Sequence, residues 1–230
     1  MLLTGTVVGR GIATSAGGTS VAYRLVMPDK SPENLQIIAS ETARWQRTLD
    51  SFRTVASQGK IPQDVVRRSE FGIDVLRVIK QNLELGVCCQ IVCQAYDGRI
   101  LGVASYGFIS ATEGGLNLQA IDPEHLAGSP GTRQLRGIGS ALVAAVARAF
   151  LITGRNRMNI HPLDEKAAIF WRNRGFEVCG AGGLMCVRTR EGLLRLRNLC
   201  ESLKDGPEGA ENLICGLPRE PKPAPAGQPR

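Results

Sequence analysis

Apolar positions near the N-terminus fall in short, β-branched runs. Leu2–Val8 and Val21–Val26 read as two strands joined by a Gly/Ser-rich loop. Leu35–Ala39 predicts a further short strand, with Ser40 as the N-cap of a helix behind it. In that helix Trp45, Leu49, Phe52 and Ala56 recur at helical spacing. A second helical pattern follows Pro62, with Val75, Leu76, Ile79 and Leu83 on one face and Gly86 as its stop.

The period then changes. Cys88–Tyr96 and Arg99–Ser110 are strand-like and flank the hairpin turn Asp97-Gly98. Glu113-Gly114-Gly115 predicts another turn, leading into Leu116–Ile121, so the three runs make an antiparallel meander. A helix is expected to start near Gly137, with Leu142, Val146 and Phe150 inward and Gly154 just beyond its end. Met158–His161 reads as a short strand, and Asp164 as the cap of a helix running through Arg174 and closed by Gly175. Phe176–Cys179 and Leu184–Arg188 form a last strand pair around Gly180-Ala181-Gly182-Gly183. Leu193, Leu196, Cys200 and Leu203 mark one more amphipathic helix. From Asp205 the chain turns to Pro, Gly, Ala and Glu, too little apolar surface to offset the entropy of ordering, which predicts disorder. Strands and helices alternate in the manner of a mixed α/β domain.

At 230 residues and 43% hydrophobic, the chain fits one domain with extensions, or one large and one small domain. No run approaches a membrane span, which predicts a soluble protein with no membrane partner. Met1–Ala16 lacks the sustained apolar block of a secretory signal. Arg10 and Arg24 without an acid before Asp29 faintly suit a transit peptide, but the strand patterns there argue against one. The seven cysteines, an odd number with several on apolar strands, read as reduced core thiols, so a cytoplasmic location is expected. Cys88-Cys89-x3-Cys93 is not a zinc spacing, and no metal is expected.

A net charge of +7 raises a nucleic-acid reading. Against it, the arginines are dispersed and aromatics make up only 5% of residues, leaving no stacking platform. Arg133, Arg136, Arg155 and Arg157 are expected instead to gather around a polyanionic cofactor.

The chemistry concentrates in Gln134-x-x-Gly137-x-Gly139, between a strand and a helix. Glycines there let the backbone approach a ligand, and the first N–H groups of the helix lack intrahelical partners. With the positive end of the helix dipole they make a pyrophosphate cradle, to which Arg133 and Arg136 add charge. Glycines that only shape a tight turn would give the same spacing, so the motif alone leaves both readings open. Gly9-Arg10-Gly11 is a strand or turn element, because Ser15–Thr19 offers no helix start.

In this context the sequence resembles the GNAT acetyltransferase superfamily, whose diagnostic element is Gln/Arg-x-x-Gly-x-Gly/Ala at a strand-to-helix junction. The resemblance continues through Ala167-Ala168-Ile169-Phe170-Trp171-Arg172-Asn173-Arg174-Gly175-Phe176, which is similar to the family's closing helix and Gly-Phe strand start. It covers residues 88–188 well. It implies a GNAT-type, mostly antiparallel sheet flanked by helices: an N-terminal β extension over 1–34, the acetyltransferase domain over 35–188, a helix over 189–204 and a disordered tail over 205–230. It implies acetyl-CoA as co-substrate and direct acyl transfer to a primary amine of a small molecule, a protein or a peptide. The strand ending at Ile121 would splay from Met158–His161 to admit the pantetheine arm. Gln134, Leu135, Arg136, Gly137, Ile138, Gly139 and Ser140 would form the pyrophosphate turn.

Several positions depart from the family pattern. The loop Glu124–Arg133 is longer than the usual link. Asp164 stands where many members place a cofactor-contacting Asn, and Trp171 where many place the Tyr that protonates the leaving thiolate. Indole N–H donates hydrogen bonds but is no acid near neutral pH. Asn117 and Gln119 occupy the strand on which some members carry a Glu base. His161 is the titratable group left to face the gap, either as catalytic base or as a helix-capping or exposed residue. Asp122, Glu124 and His125 flank the loop, either solvated or touching acceptor, while Tyr96 and Tyr106 read as strand packing. Two rival readings stand beside the acetyltransferase: an acyl-CoA-binding module that has lost catalysis, and a basic nucleic-acid-associated protein. Nothing in the sequence speaks to oligomeric state.

Overall fold

The computed structural model describes residues 1–86, 89–130 and 134–200. The start of the strand expected at Cys88, Arg133 of the loop, Leu203 and the tail from Asp205 lie outside the described residues.

Two long strands, β1 (Gly5–Ser15) and β2 (Ser20–Pro28), open the chain as an antiparallel hairpin. The next segment is helical. Leu35–Ala39, expected as a strand, belongs to α1 (Pro32–Ser57), and Ser40 is an exposed residue within that helix. The start signal opens at Ser31, four residues ahead of the apolar run. Ser31 accepts the Asn34 N–H at 3.2 Å, Pro32 takes the first turn, and Glu33 favours the positive helix end. Ile37 and Ile38 then continue upstream the stripe that Trp45, Leu49, Phe52 and Ala56 carry on. Buried Asn34 ties the helix back to β1, accepting the Thr4 N–H at 2.8 Å and donating to the Thr4 carbonyl at 2.9 Å. After α2 (Gln63–Glu84) comes the meander of β3 (Gln90–Ala95), β4 (Ile100–Phe108) and β5 (Glu113–Ile121).

The turn expected at Glu113-Gly114-Gly115 falls earlier, at Ser110–Thr112, where Ser110 Oγ accepts the N–H groups of Thr112 and Glu113. Gly114 is glycine because of packing. A Cβ there would lie 2.3 Å from the Phe150 ring, so the bare backbone makes room for an aromatic cluster of Phe150, Tyr106 and Phe108. The remaining elements are β6 (Leu135–Arg136), α3 (Ile138–Ile152), β7 (Arg157–Ile160), α4 (Glu165–Arg172), β8 (Glu177–Val178), β9 (Met185–Val187) and α5 (Arg190–Arg197). Asp164 caps α4 as its position predicts, taking the Ala167 N–H at 2.8 Å.

The nine strands of the described residues join one sheet in the order β6-β1-β2-β3-β4-β5-β7-β9-β8, antiparallel except for β5–β7. Segment 1–34 thus supplies two strands of the sheet, with β2 paired to β3. Alternation on the central strands sends side chains to two cores. Val26, Val92, Ile100 and Val103 pack under α1 and α2, while Leu25, Ile91, Cys93 and Leu101 pack against α3 on the other face. Helix α3 is apolar except for Ser140 and Arg148, which donates to the Val8 carbonyl at 3.2 Å, and residues 141–150 are all buried, enclosed by the sheet and by α5.

One charged cluster crosses the first core. Arg44 of α1 donates to Asp122 Oδ2 at 2.6 Å, to Glu41 Oε2 at 2.8 Å and to the Ile100 carbonyl at 3.1 Å. Glu41 also accepts the Ile100 N–H at 2.8 Å. Asp122, fully buried just after β5, is pushed up to about 6 by burial, against the pull of Arg44. Burial opposes the charge on Arg44, but its hydrogen bonds to Glu41 and Asp122 and their charges raise its pKa overall.

Arg44→Met strands the Asp122 carboxylate and is expected to cost about 3–5 kcal/mol near neutral pH. An acid raised above its ordinary value near 4 is best tolerated when protonated, so its share of stability declines as pH climbs from about 4 through about 6. Without Arg44 the Asp122 pKa rises further. The variant's deficit in urea unfolding should therefore be larger at pH 7.5 than at pH 4.5, and an equal deficit at both would contradict the assignment.

Candidate functional site

β5 has a parallel partner on its outer side only at its beginning. Glu113, Gly114, Gly115 and Leu116 pair with Arg157, Met158, Asn159 and Ile160, and the pairing ends there. On the inner side, Tyr106 faces Leu116 but Ser105 faces Leu118, so Asn117 is an extra residue in β5. Such a bulge bends its strand and increases its twist. It falls where β5 leaves β7, and among the described residues the backbone of 117–121 has no strand beside it on that edge.

The gap is a cavity of about 420 Å³. Leu116–Ile121 forms one wall, and Ile160, His161 and the α4 face with Ala167, Phe170 and Trp171 form another. The head of α3 at Gly137–Gly139, part of α2 with Arg68 and Phe71, and the loop His125–Ala127 complete the lining.

Gly137 is the N-cap of α3 at φ +92°, in the left-handed region, and no side chain caps this helix. A Cβ on Gly137 would meet nothing within 4 Å, so conformation and not space selects glycine here. The Ala141 N–H makes the first helical bond, to the Gly137 carbonyl at 2.9 Å, which leaves the N–H groups of Ile138, Gly139 and Ser140 ahead of it. Gly139 is crowded: its Cβ would lie 3.1 Å from Gln119 Nε2 and 3.3 Å from Phe170. Gln119 Nε2 donates to the Gly139 carbonyl at 3.0 Å, coupling β5 to the first turn of α3. Pairing of Leu135 and Arg136 with Ser15 and Thr14 holds the turn against β1.

Among the residues singled out in the sequence, Ile121, Leu135, Gly137, Ile138, Gly139, His161 and Trp171 line the cavity together. The others stand around it. Gln134 Nε2 donates to the Ser129 carbonyl at 2.8 Å and so braces the long loop. Ser140 Oγ accepts from Arg174 at 2.7 Å, and Arg136 is exposed on β6. Asp164 is occupied by its capping bond and by Arg67 at 3.0 Å. Trp171 packs edge-on against Phe170 and Phe176, with ring centres 4.8 and 5.1 Å away.

Arg155 and Arg157 do not join the cluster expected around the glycine turn. They follow the far end of α3, about 22 Å along the helix from its head. Arg155 lies over Phe108, and Arg157 pairs with Glu113 at 2.7 Å. Asp122 is a core ion-pair partner, and Glu124 is exposed 3.7 Å from Arg44. His125 is buried and lines the cavity. Tyr106 packs within the aromatic cluster, whereas Tyr96 is exposed. Arg44, Arg53, Arg67, Arg68, Arg77 and Arg99 each face a carboxylate, which spreads and offsets the basic charge.

Three residues at the site escaped the sequence reading. Arg174 lies 3.4 Å over the Phe170 ring beside the head of α3, its pKa lowered by burial. Arg68 of α2 and Lys166 of α4 meet at Asp64, and only the topology brings those helices together. Among the described residues no group of His, Cys, Asp and Glu is arranged to hold a metal, and the cysteines are free. No helix among them is long and apolar enough to cross a membrane.

The order of elements, the glycine turn at the head of α3 and the parting of β5 from β7 make up the arrangement that resemblance to the GNAT superfamily implies. Among solved structures, the chain is similar to the AtaT mutant toxin bound to the C-terminus of the antitoxin AtaR and acetyl-CoA, with 20% identity and a TM-score of 0.42, covering 54% of this chain and 83% of that one. It is similar to Ard1 from Thermoplasma volcanium at 19% identity and a TM-score of 0.37, covering 47% of this chain and 75% of that one. The KacTA–DNA complex matches at 20% identity and a TM-score of 0.38, covering 53% and 85%. No family model and no curated protein matches the chain. None of these likenesses assigns a residue role here.

The left-handed conformation of Gly137 should show in stability measurements. Gly137→Ala places a Cβ in the left-handed region and is expected to cost about 1–2 kcal/mol. Gly137→Asn, which tolerates that region better, should cost less. Equal losses in chemical denaturation would mean that the φ of +92° is not what the position requires.

Proposed function

We propose that the chain is an N-acetyltransferase, moving an acetyl group from acetyl-CoA to a primary amine by direct attack. The observation that carries this reading is the open edge of β5 beyond Leu116, ending at a helix head whose N–H groups have no side-chain cap. The parts fit the donor. Three amides and the positive end of α3 suit a pyrophosphate, and Arg174 adds a cation beside Ser140. The unpaired backbone of 117–121 suits the pantetheine amides, much as it would suit an added strand. Ile121, Leu135 and Trp171 flank this path, with Gln134 bracing the turn and Asp164 fixing α4.

The chain's own task is to orient the two substrates and to move protons. His161 lines the cavity and is the residue assigned to take the proton from the amine. Trp171 can donate a hydrogen bond but no proton, so the leaving thiolate is protonated by water. A thiol has an ordinary pKa near 8.5, and that step needs little help near neutral pH. A second reading, an acyl-CoA-binding module without turnover, is favoured by Trp171 itself, because its indole lines the cavity where an acid would serve.

Release of free thiol from acetyl-CoA with a panel of primary amines distinguishes these readings. Gly137→Glu puts a carboxylate at the helix head and should weaken acetyl-CoA binding at least about tenfold in calorimetry, with a native circular dichroism spectrum. Unchanged affinity would remove the donor site from this turn. His161→Ala should slow turnover by about a hundredfold, while Trp171→Tyr should leave it unchanged or raise it. Tight acetyl-CoA binding with no thiol release in wild type or Trp171→Tyr would favour the binding module.

A further inference from the structure

Of the charged and titratable side chains that line the cavity, Arg68, His125, His161 and Lys166, none is an acid. An enzyme whose acceptor carried only positive charge would be expected to offer it a carboxylate. Behind that lining Asp64 accepts from Arg68 at 2.9 Å and from Lys166 at 2.7 Å. One carboxylate shared by two cations leaves a positive surplus at the wall.

Arg68 is also held in place. Its Nη2 donates to Asp64 Oδ2 and to the Ala127 carbonyl, both at 2.9 Å, and its Nε donates to the Asp64 carbonyl at 3.3 Å. Among the described residues Nη1 makes no hydrogen bond. A guanidinium fixed on one edge with a donor unused on the other is preorganised for an oxyanion. Its side chain is only 16% exposed, so its charge is less screened than that of a surface arginine. Lys166, 61% exposed, adds a mobile second cation at the same place.

The donor's phosphates do not account for this pair. They are assigned to the head of α3, on the face of the sheet opposite α1 and α2, and Arg68 belongs to α2. We infer that the acceptor amine carries an anionic group, a carboxylate or a phosphate, a few bonds from its nitrogen, and that Arg68 with Lys166 binds that group. The inference deepens the acetyltransferase reading and rests on it for the identity of the bound amine.

The test uses binding, so that it needs no turnover. Four amines of one frame are titrated into CoA-saturated protein: β-alanine, phosphoethanolamine, ethanolamine and ethylenediamine, with carboxylate, phosphate, hydroxyl and ammonium at the far end. The anionic members should bind at least tenfold more tightly than the other two, and the better of them identifies the group. Arg68→Met should weaken the anionic members about tenfold or more, with Arg68→Lys intermediate and the Kd for CoA within about twofold of wild type. Lys166→Met, on an exposed side chain, should give a smaller loss in the same direction and guards against misfolding of the Arg68 variants. Preference for ethanolamine or ethylenediamine, binding of none of the four, or a loss of CoA affinity on Arg68→Met would each overturn the inference. Selective binding of the anionic amines without thiol release from acetyl-CoA would leave the inference standing and reject the catalytic reading instead.

Discussion

A backbone in the middle of a sheet needs hydrogen-bond partners on both sides, and β5 has them on both sides only as far as Leu116. Beyond that residue one edge stays open, because β7 ends at Ile160 while β5 runs on to Ile121. The site is built around this unfinished ladder. Asn117, the extra residue against β4, bends β5 at the point where its pairing with β7 ends. The head of α3 closes one part of the opening, α4 another, and Gln119 links strand and helix through the Gly139 carbonyl.

Holding such an edge open requires firm support behind it. The end of β5 is anchored by Asp122, whose buried carboxylate reaches Arg44 of α1, and Glu41 of the same helix takes the Ile100 N–H of β4. On the opposite face the aromatic cluster of Tyr106, Phe108 and Phe150 packs over Gly114 at the other end of β5. Both ends of the strand are fixed, each by its own chemistry, while the stretch between them keeps its outer edge open.

What could be read from the sequence was local. The stripe from Trp45 to Ala56, the Asp164 cap and the glycine turn each depend on residues within a few positions, and each lies where its spacing placed it. Leu35–Ala39 misled because five apolar-rich residues fit a short strand or little more than one helical turn equally well, and the deciding signal, Ser31-Pro32-Glu33, lay outside that window. Glu113-Gly114-Gly115 misled because a glycine kept for an aromatic ring resembles one kept for a turn. The wall of the cavity was least legible. Arg68 and Lys166 are far apart in the chain and meet only because α2 and α4 approach each other across the gap. Arg155 and Arg157, close in sequence to the turn, are carried away from it by the length of α3.

The burial of α3 on every side bears on how this site meets its ligands. A helix without a solvent face has no freedom to tilt or slide, since any shift would open voids against both the sheet and α5. The amides at its head are therefore aligned by folding itself, and an anion arriving there would find them already in register, with no ordering entropy left to lose. Adaptation falls to the other side of the cleft, where Asp64–Lys166 and Arg67–Asp164 join α2 to α4 through exposed ion pairs. Those contacts are weak, reversible and sensitive to ionic strength. The molecule thus sets a rigid jaw against a compliant one, with the stiffness in the half proposed to hold phosphate and the give in the half proposed to receive the amine.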